Sequence, residues 1–409
     1  MDIDNKKISN GALLFNTAKY LTVFFYFVYS ILPSIYALIS IQLKEPVFFW
    51  MHLETAMQSK IAIFEVIGFF VLLLTLPNYP TNMVGGNISV QIPPPILKLA
   101  IFILFIYTIP PFFEMLIRSK NVVGRVDLFV LSTVIIDQYK LKVIFILLSI
   151  LICYLIFIRR KLIYLLMMVP IVSIEFISMG RVWPFAFFSI FLIGYLHVKN
   201  KFFSRKGLLI CCLFFGFYSM LRLLGQGAGL NFLDSSVFLF GESFNTQQSI
   251  EIALSAANKL TFFDGLKNVF SEFLPFGIKY LVINPETIAV NIIDNSKESL
   301  YGFTAMGFGS SWVSQFILYF GNNFLVVFYP LLLSLSLRLY LFLYKKSGMI
   351  SFFYLYFYIS GLFMFFRYGL NLSITYPLLN CFYAVILLLI LKSFYTILPK
   401  VNTSKVLCE

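Results

Sequence analysis

Long apolar runs dominate this chain of 409 residues and dictate what it can fold into. A helix needs roughly 20 mostly apolar residues to cross the hydrocarbon core of a membrane. With 60% hydrophobic and only 12% charged residues, the sequence predicts an all-α polytopic integral membrane protein of about ten transmembrane helices. The predicted spans lie near 20–42, 60–76, 97–117, 143–158, 162–180, 183–198, 207–224, 322–344, 350–366 and 374–391.

The positive charges indicate how these spans are oriented. The formal net charge is +13, but Lys and Arg gather in short segments between the apolar runs, which argues against a nucleic-acid partner. Arg159-Arg160-Lys161, the segment 199–206, Lys345-Lys346 and Lys392 share one predicted face, the cytoplasmic one. Two segments depart from that rule: 77–96 is predicted to be cytoplasmic without any charge, and 117–142 is predicted to be external despite five basic residues.

On this topology the chain divides into four parts. Spans one to seven form a membrane bundle over 1–224, and 225–309 forms one large external loop with eight acids and four lysines. A possible re-entrant half-helix covers 310–321, entered through Ser310 or Ser311, and 322–409 holds spans eight to ten and a cytoplasmic tail. A loop as long as 225–309 is usually functional.

Two short amphipathic helices are predicted within that loop, lying on the membrane surface. Asn245-Thr246-Gln247-Gln248 is typical of a capping box before an apolar pattern that starts at Ile250. Thr261 opens the second pattern. The apolar stripe of that second helix consists of Phe263, Leu266, Phe270, Phe273 and Leu274. The polar residues on the opposite face are Asp264, Asn268 and Glu272.

Three arginines are predicted to lie near one external plane. Arg181 follows Gly180 inside a long apolar stretch, and Gly180 and Pro184 favour a very tight turn between two spans at that point. Arg222 and Arg367 end two other spans at the same predicted level. Each could simply anchor a helix end by reaching lipid phosphates. Together they favour a site for a lipid diphosphate, which guanidinium groups bind bidentately.

Carboxylates in the adjacent loop supply candidate general bases. Glu242 is the first choice, because it stands in an apolar setting just before a predicted helix, and Glu272 and Asp234 follow. Glu175 lies within span five, close below the turn, and ion pairing with Arg181 is its simplest structural explanation.

Other chemistries fit the sequence poorly. His52 and His197 are the only histidines, so neither a histidine metal site nor a Ser-His-Asp triad is expected. Four of the five cysteines fall in apolar runs, which argues against a disulfide framework. No aspartate pair suited to a metal-bound nucleotide sugar stands on the cytoplasmic face. The sequence predicts no metal and no cofactor.

The order of these features resembles the bacterial O-antigen polymerase family. The resemblance covers most of the chain after about residue 143 and rests on order and spacing more than on identity. The stretches that carry it are Ser178-Met179-Gly180-Arg181, the segment 222–242, Phe273-Leu274-Pro275-Phe276-Gly277 and Gln315-Phe316-Ile317-Leu318-Tyr319-Phe320-Gly321.

The resemblance implies a multi-pass protein of the bacterial inner membrane with a GT-C-like, largely helical glycosyltransferase fold. Such proteins polymerise undecaprenyl-diphosphate-linked oligosaccharide repeat units at the periplasmic face, without a metal, with arginines stabilising the diphosphate. Membrane lipids and a chain-length regulator are the further partners implied. This chain departs from the family at Gln315, where members often carry a glutamate.

Two alternatives remain open. An O-antigen ligase would share the fold and the arginine site, but the related ligases use a loop histidine that this loop lacks. A lipid-linked oligosaccharide flippase would be expected to line a central cavity with charges and to show two related halves, whereas the charges here gather externally.

Overall fold

The regular elements are helices throughout the part of the chain that the computed structural model describes, which is residues 10–35, 38, 55–80, 83–86, 92–122, 125–178, 180, 182–201, 250, 253–254, 261–272, 274, 312–321, 327–368 and 374–397. The helices are α1 (Asn10–Tyr26), α2 (Thr55–Thr75), α3 (Pro94–Ser119), α4 (Arg125–Gln138), α5 (Leu141–Arg159), α6 (Val169–Ile177), α7 (Val182–Lys199), α8 (Phe262–Glu272), α9 (Trp312–Phe320), α10 (Pro330–Lys346), α11 (Gly348–Tyr368) and α12 (Thr375–Ile397).

Five helices of the described chain are long and apolar enough to cross a membrane. They cover Gly11–Ile35, Pro95–Ser119, Leu141–Arg159, Val182–Lys199 and Thr375–Phe394, and each corresponds to one predicted span. Four further predicted spans fall on α2, on α10, on α11 and on the shorter apolar stretch Leu162–Ile177. The span predicted at 207–224 and most of the predicted loop lie outside the described residues. The chain is thus a helical membrane protein, with five spans supported by length and composition.

The first span starts about ten residues earlier than predicted. Helix α1 begins at Asn10 and continues through a π-helical turn, Phe27–Ile31, to Ile35. The amide of Leu32 donates to the carbonyl oxygen of Phe27, five residues back. A widened turn directly before Pro33 is physically reasonable, because a proline inside a helix lacks an amide donor and clashes with the preceding turn.

The basic segment 117–142 contains a helix that periodicity did not predict. Helix α4 packs back on α3, and the Tyr139 hydroxyl donates to Glu114 Oε2 at 2.7 Å. That hydrogen bond is the main cause that raises the pKa of Tyr139 above its usual value. Glu114 also pairs with Arg118 at 2.9 Å. Helix α4 thus lies against α3 in the segment that the sequence predicts to be external.

The uncharged segment 77–96 meets one end of the bundle. The Gly86 amide donates to the Tyr344 carbonyl at 2.9 Å, and the Gly348 amide donates to the Gly86 carbonyl at 3.1 Å. A Cβ at Gly86 would stand 2.2 Å from the Lys346 carbonyl oxygen, so only glycine permits this approach. The segment therefore lies beside Lys345-Lys346 at the predicted cytoplasmic end, although it has no charged residue that would indicate this location.

Helix α11 forms the centre of the bundle. It packs against α7, α10 and α12, and residues 351–361 are buried on every side of the helix. Such all-round burial, with three fully enclosed tyrosines at 354, 356 and 358, is what an apolar helix inside a larger bundle shows. The outer helices expose apolar side chains instead, as lipid-facing surfaces do, among them Leu74, Phe102 and Phe382.

Candidate functional site

A tight turn joins α6 to α7, as the sequence predicts. Helix α6 ends at Ile177, and the Gly180 amide donates to the Glu175 carbonyl at 2.7 Å. Helix α7 then starts at Val182, so four residues reverse the chain. Arg181 belongs to this turn, between the described residues Gly180 and Val182, but its own position lies outside the described residues.

The Glu175 side chain caps the start of α7. Its Oε1 accepts a hydrogen bond from the Val182 amide at 3.2 Å, and its Oε2 accepts one from the Trp183 amide at 2.5 Å. The first amides of a helix lack partners within the helix and carry a partial positive charge, so a carboxylate there is stabilising. These contacts give Glu175 a structural role other than the ion pair with Arg181 that the sequence suggested.

Glycine is required beside that carboxylate. A Cβ at Gly180 would stand 2.1 Å from Glu175 Cγ, well inside van der Waals contact. The capping group and the glycine are therefore one packed unit. Periodicity could not have revealed it, because the cap reaches across a turn to the next helix rather than along its own.

Aromatic contacts fix the first turn of α7 to its neighbours. Trp183 stacks on Phe145 of α5, with ring centroids 5.0 Å apart and an interplanar angle of 8°. Phe185 meets Phe25 of α1 edge to face at 5.6 Å. Offset or edge-to-face aromatic pairs each add about 0.5–1.5 kcal/mol beyond area burial. The turn that carries Arg181 is therefore held between rigid helices.

A second set of elements meets near the end of α11. Phe365 of α11 stacks on Tyr329 at 5.4 Å, and Tyr329 meets Phe316 of α9 edge to face at 4.8 Å. Within the predicted half-helix 310–320 the structure has α9. It ends at Gly321, which has a left-handed φ of 72° and whose amide donates a hydrogen bond to the Ile317 carbonyl oxygen. Ser310 and Ser311, its predicted caps, lie outside the described residues.

Helix α8 packs on α9 through its small and polar face. A Cβ at Gly265 would stand 1.9 Å from the carbonyl oxygen of Tyr319, so the two backbones touch at this glycine. Asn268 and Ser271 are buried on the same face, whereas Phe263 and Phe270 are 80% and 69% exposed. These two phenylalanines of the predicted apolar stripe thus point away from the protein, where a surface helix would meet lipid. Asn268, which the sequence assigns to the polar face, is buried against the protein rather than exposed to water.

The second predicted helix begins just after Thr261, and the structure shows that this residue caps it. The Asp264 amide donates to Thr261 Oγ1 at 3.2 Å, and that hydroxyl donates to Asp264 Oδ2 at 2.6 Å. This reciprocal pair satisfies an amide that the first turn of α8 would otherwise leave without a partner. The predicted capping box at 245–248 lies outside the described residues, although Ile250 and Ala253 beyond it are buried.

The start of α7 and the end of α11 lie at the same end of the bundle. His197, near the end of α7, packs edge to face on Phe352, near the start of α11, at 5.1 Å, so the two helices are antiparallel. Val182 precedes His197 by 15 residues, and Arg367 follows Phe352 by 15 residues. At 1.5 Å per residue each position is about 22 Å from that contact.

None of the predicted site side chains is within the described part of the chain. Arg181, Arg222, Asp234 and Glu242 lie outside the described residues altogether. Arg367 and Glu272 belong to the helices α11 and α8, whose backbones are described while these two side chains are not. The start of α7 and the end of α11 lie at the same end of the bundle, and the roles of all six side chains stay predictions.

His197, the histidine that the structure describes, makes contacts that hold helices together. His197 Nε2 lies 3.0 Å from the Phe157 carbonyl oxygen, and its ring stacks on the Phe157 ring at 5.1 Å. It joins the ends of α5, α7 and α11 at the predicted cytoplasmic end. Among the described His, Cys, Asp and Glu residues, no group of three or more could hold a metal ion.

No protein-family description, no curated protein and no solved structure matches the chain.

Proposed function

We propose that the chain is a metal-independent glycosyltransferase of the bacterial inner membrane, which polymerises undecaprenyl-diphosphate-linked oligosaccharide repeat units at the periplasmic face. The observation that carries the proposal is the rigid turn between α6 and α7. A carboxylate cap and two aromatic contacts hold this turn at the end of the bundle where α11 also ends. An arginine in such a turn is suited to a lipid head group, because the head group lies at the membrane boundary while its chain stays in the bilayer.

The geometry of α8 and α9 supports the same proposal. The exposed phenylalanines of α8 provide an apolar face toward the bilayer, and its clamp on α9 fixes it near the end of α11. A lipid-linked substrate reaches an enzyme through the bilayer surface, so a surface helix beside the cationic end would help to orient it.

The proposed reaction is an inverting transfer. A sugar hydroxyl of one lipid-linked unit attacks the anomeric carbon of the growing chain, and the bond from that carbon to the diphosphate oxygen breaks. Arg181, Arg222 and Arg367 stabilise the negative charge that develops on the departing undecaprenyl diphosphate. A loop carboxylate, Glu242 first and Glu272 or Asp234 otherwise, accepts the proton of the attacking hydroxyl.

A gene deletion separates this proposal from its rivals. Without the polymerase, cells should still attach a single repeat unit to lipid A core, because export and ligation continue. Loss of the ligase or of the flippase should leave no attached unit at all. Bare lipid A core in the deletion strain would therefore rule out the polymerase and favour one of those two activities. Undecaprenyl-linked intermediates that accumulate on the periplasmic side would then indicate a ligase, and on the cytoplasmic side a flippase.

A further inference from the structure

A groove opens on the outer surface of the bundle between α3, α5 and the 3₁₀-helical segment Leu162–Met168. Its volume is about 530 Å³, within the range of roughly 300–1,000 Å³ that is usual for ligand sites in proteins. Helix α3 lines the groove with Lys98 and Phe102, α5 with Leu155, and the 3₁₀-helical segment with Tyr164 and Met167. The groove is therefore mostly apolar, with one cation and one hydroxyl group in its walls.

The groove lies on a surface of the bundle that is suited to lipid tails. Leu99 and Ile103 of α3 are each 57% exposed, and Ile163 and Leu166 of the 3₁₀-helical segment are 61% and 59% exposed. Exposed apolar patches of this kind mark surfaces that contact membranes or other proteins, and here they belong to helices of a membrane bundle. An acyl chain of the bilayer therefore has direct access to the groove.

One end of the groove is basic. Lys98 stands in the first two turns of α3 and is exposed. Arg159 ends α5 four residues after Leu155, about 6 Å along the helix, and Lys161 precedes Tyr164 by three residues. The cations thus gather where α3 begins and α5 ends, which is the predicted cytoplasmic end of the bundle.

The described residues provide no counterion for this positive charge. Neither ion pair of the described chain involves Lys98, Arg159 or Lys161. The described acids in the walls of the groove and in α6, which continues one wall, are Glu114 and Glu175. Glu114 follows Lys98 by 16 residues, about 24 Å along α3, and Glu175 caps the start of α7 at the opposite end of the bundle. The ligand that complements the basic end is therefore an anion.

We propose that this groove binds an anionic phospholipid. One acyl chain lies against Phe102, Leu155 and Met167, and the lipid phosphate contacts Lys98 and the basic link 159–161. Basic pockets between transmembrane helices on the cytoplasmic side are suited to anionic head groups, and a tyrosine such as Tyr164 is typical of the level where head groups and tails meet. The site lies at the opposite end of the bundle from the turn between α6 and α7, so it does not depend on the proposed function.

Binding of two lipids that differ only in the head group tests the charge at this site. Native mass spectrometry of the full-length chain in detergent micelles can follow titrations with phosphatidylglycerol and with phosphatidylethanolamine of the same acyl chains. Each cation near a membrane surface favours an anionic lipid about fivefold, so the site should bind phosphatidylglycerol at least about tenfold more tightly. Equal binding of the two lipids by the wild-type chain would overturn the proposal.

A pair of lysine variants shows whether the position of the charge matters. Lys98→Ala should weaken the binding of phosphatidylglycerol about fivefold. Lys345→Ala is the matched control, because it removes an exposed lysine from the same predicted end of the bundle but not from the groove. Equal losses of affinity in the two variants would show that the lipid responds to the general charge of that end and not to this site.

A larger side chain in the groove tests where the acyl chain lies. Met167→Trp should fill the groove and weaken the binding of phosphatidylglycerol several-fold, although all the cations remain. Leu166→Trp changes the exposed neighbour and should leave the affinity unchanged. If the two variants bind phosphatidylglycerol equally well, the groove does not hold the chain.

Photocrosslinking of the wild-type chain gives a test that needs no variant to fold. Phosphatidylglycerol with a photoactivatable group in its acyl chain should form adducts with Phe102 several-fold more often than with Phe382 of α12, although the two rings are 52% and 58% exposed. Unlabelled phosphatidylglycerol should displace the label from the groove, and phosphatidylethanolamine should not. Equal labelling of Phe102 and Phe382 would contradict a specific site.

Discussion

Glu175 and Trp183 meet across the turn between α6 and α7, where the carboxylate accepts the Trp183 amide at 2.5 Å while the Trp183 ring stacks on Phe145. Trp183 thus holds the end of the turn in two ways, by the hydrogen bond of its amide and by the stacking of its ring. The position of Arg181, two residues before Trp183, depends on this arrangement. Substitutions of Glu175 should therefore lower the stability of the protein directly, and should lower the proposed activity only indirectly, by displacing the turn.

Replacing the capping carboxylate should lower stability in graded steps. We expect Glu175→Ala to cost about 1–2 kcal/mol, because two helix amides lose their acceptor, and Glu175→Gln to cost less, because one oxygen remains. The melting temperature of the purified protein measures this loss. Asp137→Ala is the matched control, since its carboxylate is 59% exposed in a surface pair with Lys142. Equal melting temperatures for Glu175→Ala and the control would contradict the cap.

The clamp between α8 and α9 should fail when a methyl group is added at Gly265. A Cβ there would stand 1.9 Å from the Tyr319 carbonyl oxygen, so Gly265→Ala must push the helices apart. A short thiol crosslinker between cysteines placed at Phe262 and Phe320, whose rings lie 5.6 Å apart, reports the contact. We expect crosslinking to fall several-fold in Gly265→Ala and to persist in Lys267→Ala, which alters an exposed side chain of α8. Undiminished crosslinking in Gly265→Ala would show that the helices do not touch there.

The two ends of the bundle should differ in access from outside the cell. A cysteine at Val84, which is 82% exposed beside the α10–α11 junction, is expected to react with an impermeant maleimide only after the inner membrane is opened. A cysteine at Lys267 on α8 is expected to react in intact spheroplasts. The parent chain, labelled in the same way, supplies the background from its own five cysteines, of which the two described ones, Cys153 and Cys381, are buried. The reverse pattern of labelling would show that the chain has the opposite orientation in the membrane.

Apolar length predicted the five spans that the structure supports, whereas little in the sequence indicated which residues would contact one another. The turn at Gly180 followed from a glycine and a proline between two apolar runs, and the start of α8 after Thr261 followed from its apolar pattern. Helix α4 was missed because its apolar residues lie all around the helix rather than on one stripe, and because it packs on α3.

Long-range polar contacts lay beyond what the sequence could reveal. The cap from Glu175 and the bond from Ser34 to Glu65 join residues whose approach depends on how helices pack. The orientation of α8 was also hidden, because a glycine that allows close backbone approach looks like any other glycine until its neighbour is known. Periodicity identifies the face of a helix, but not the partner that this face meets.

The central claim is that cations at one end of the bundle act on a lipid diphosphate, and polymer length in a deletion strain tests it most directly. Strains that produce Arg181→Ala, Arg222→Ala or Arg367→Ala at normal protein levels should yield lipid A core with a single repeat unit, a loss of polymer of at least about 100-fold if each guanidinium contributes about 3 kcal/mol to the transition state. Arg118→Ala, which removes an arginine of the exposed Glu114 pair, should keep the full ladder. Full ladders from all three variants would contradict the account.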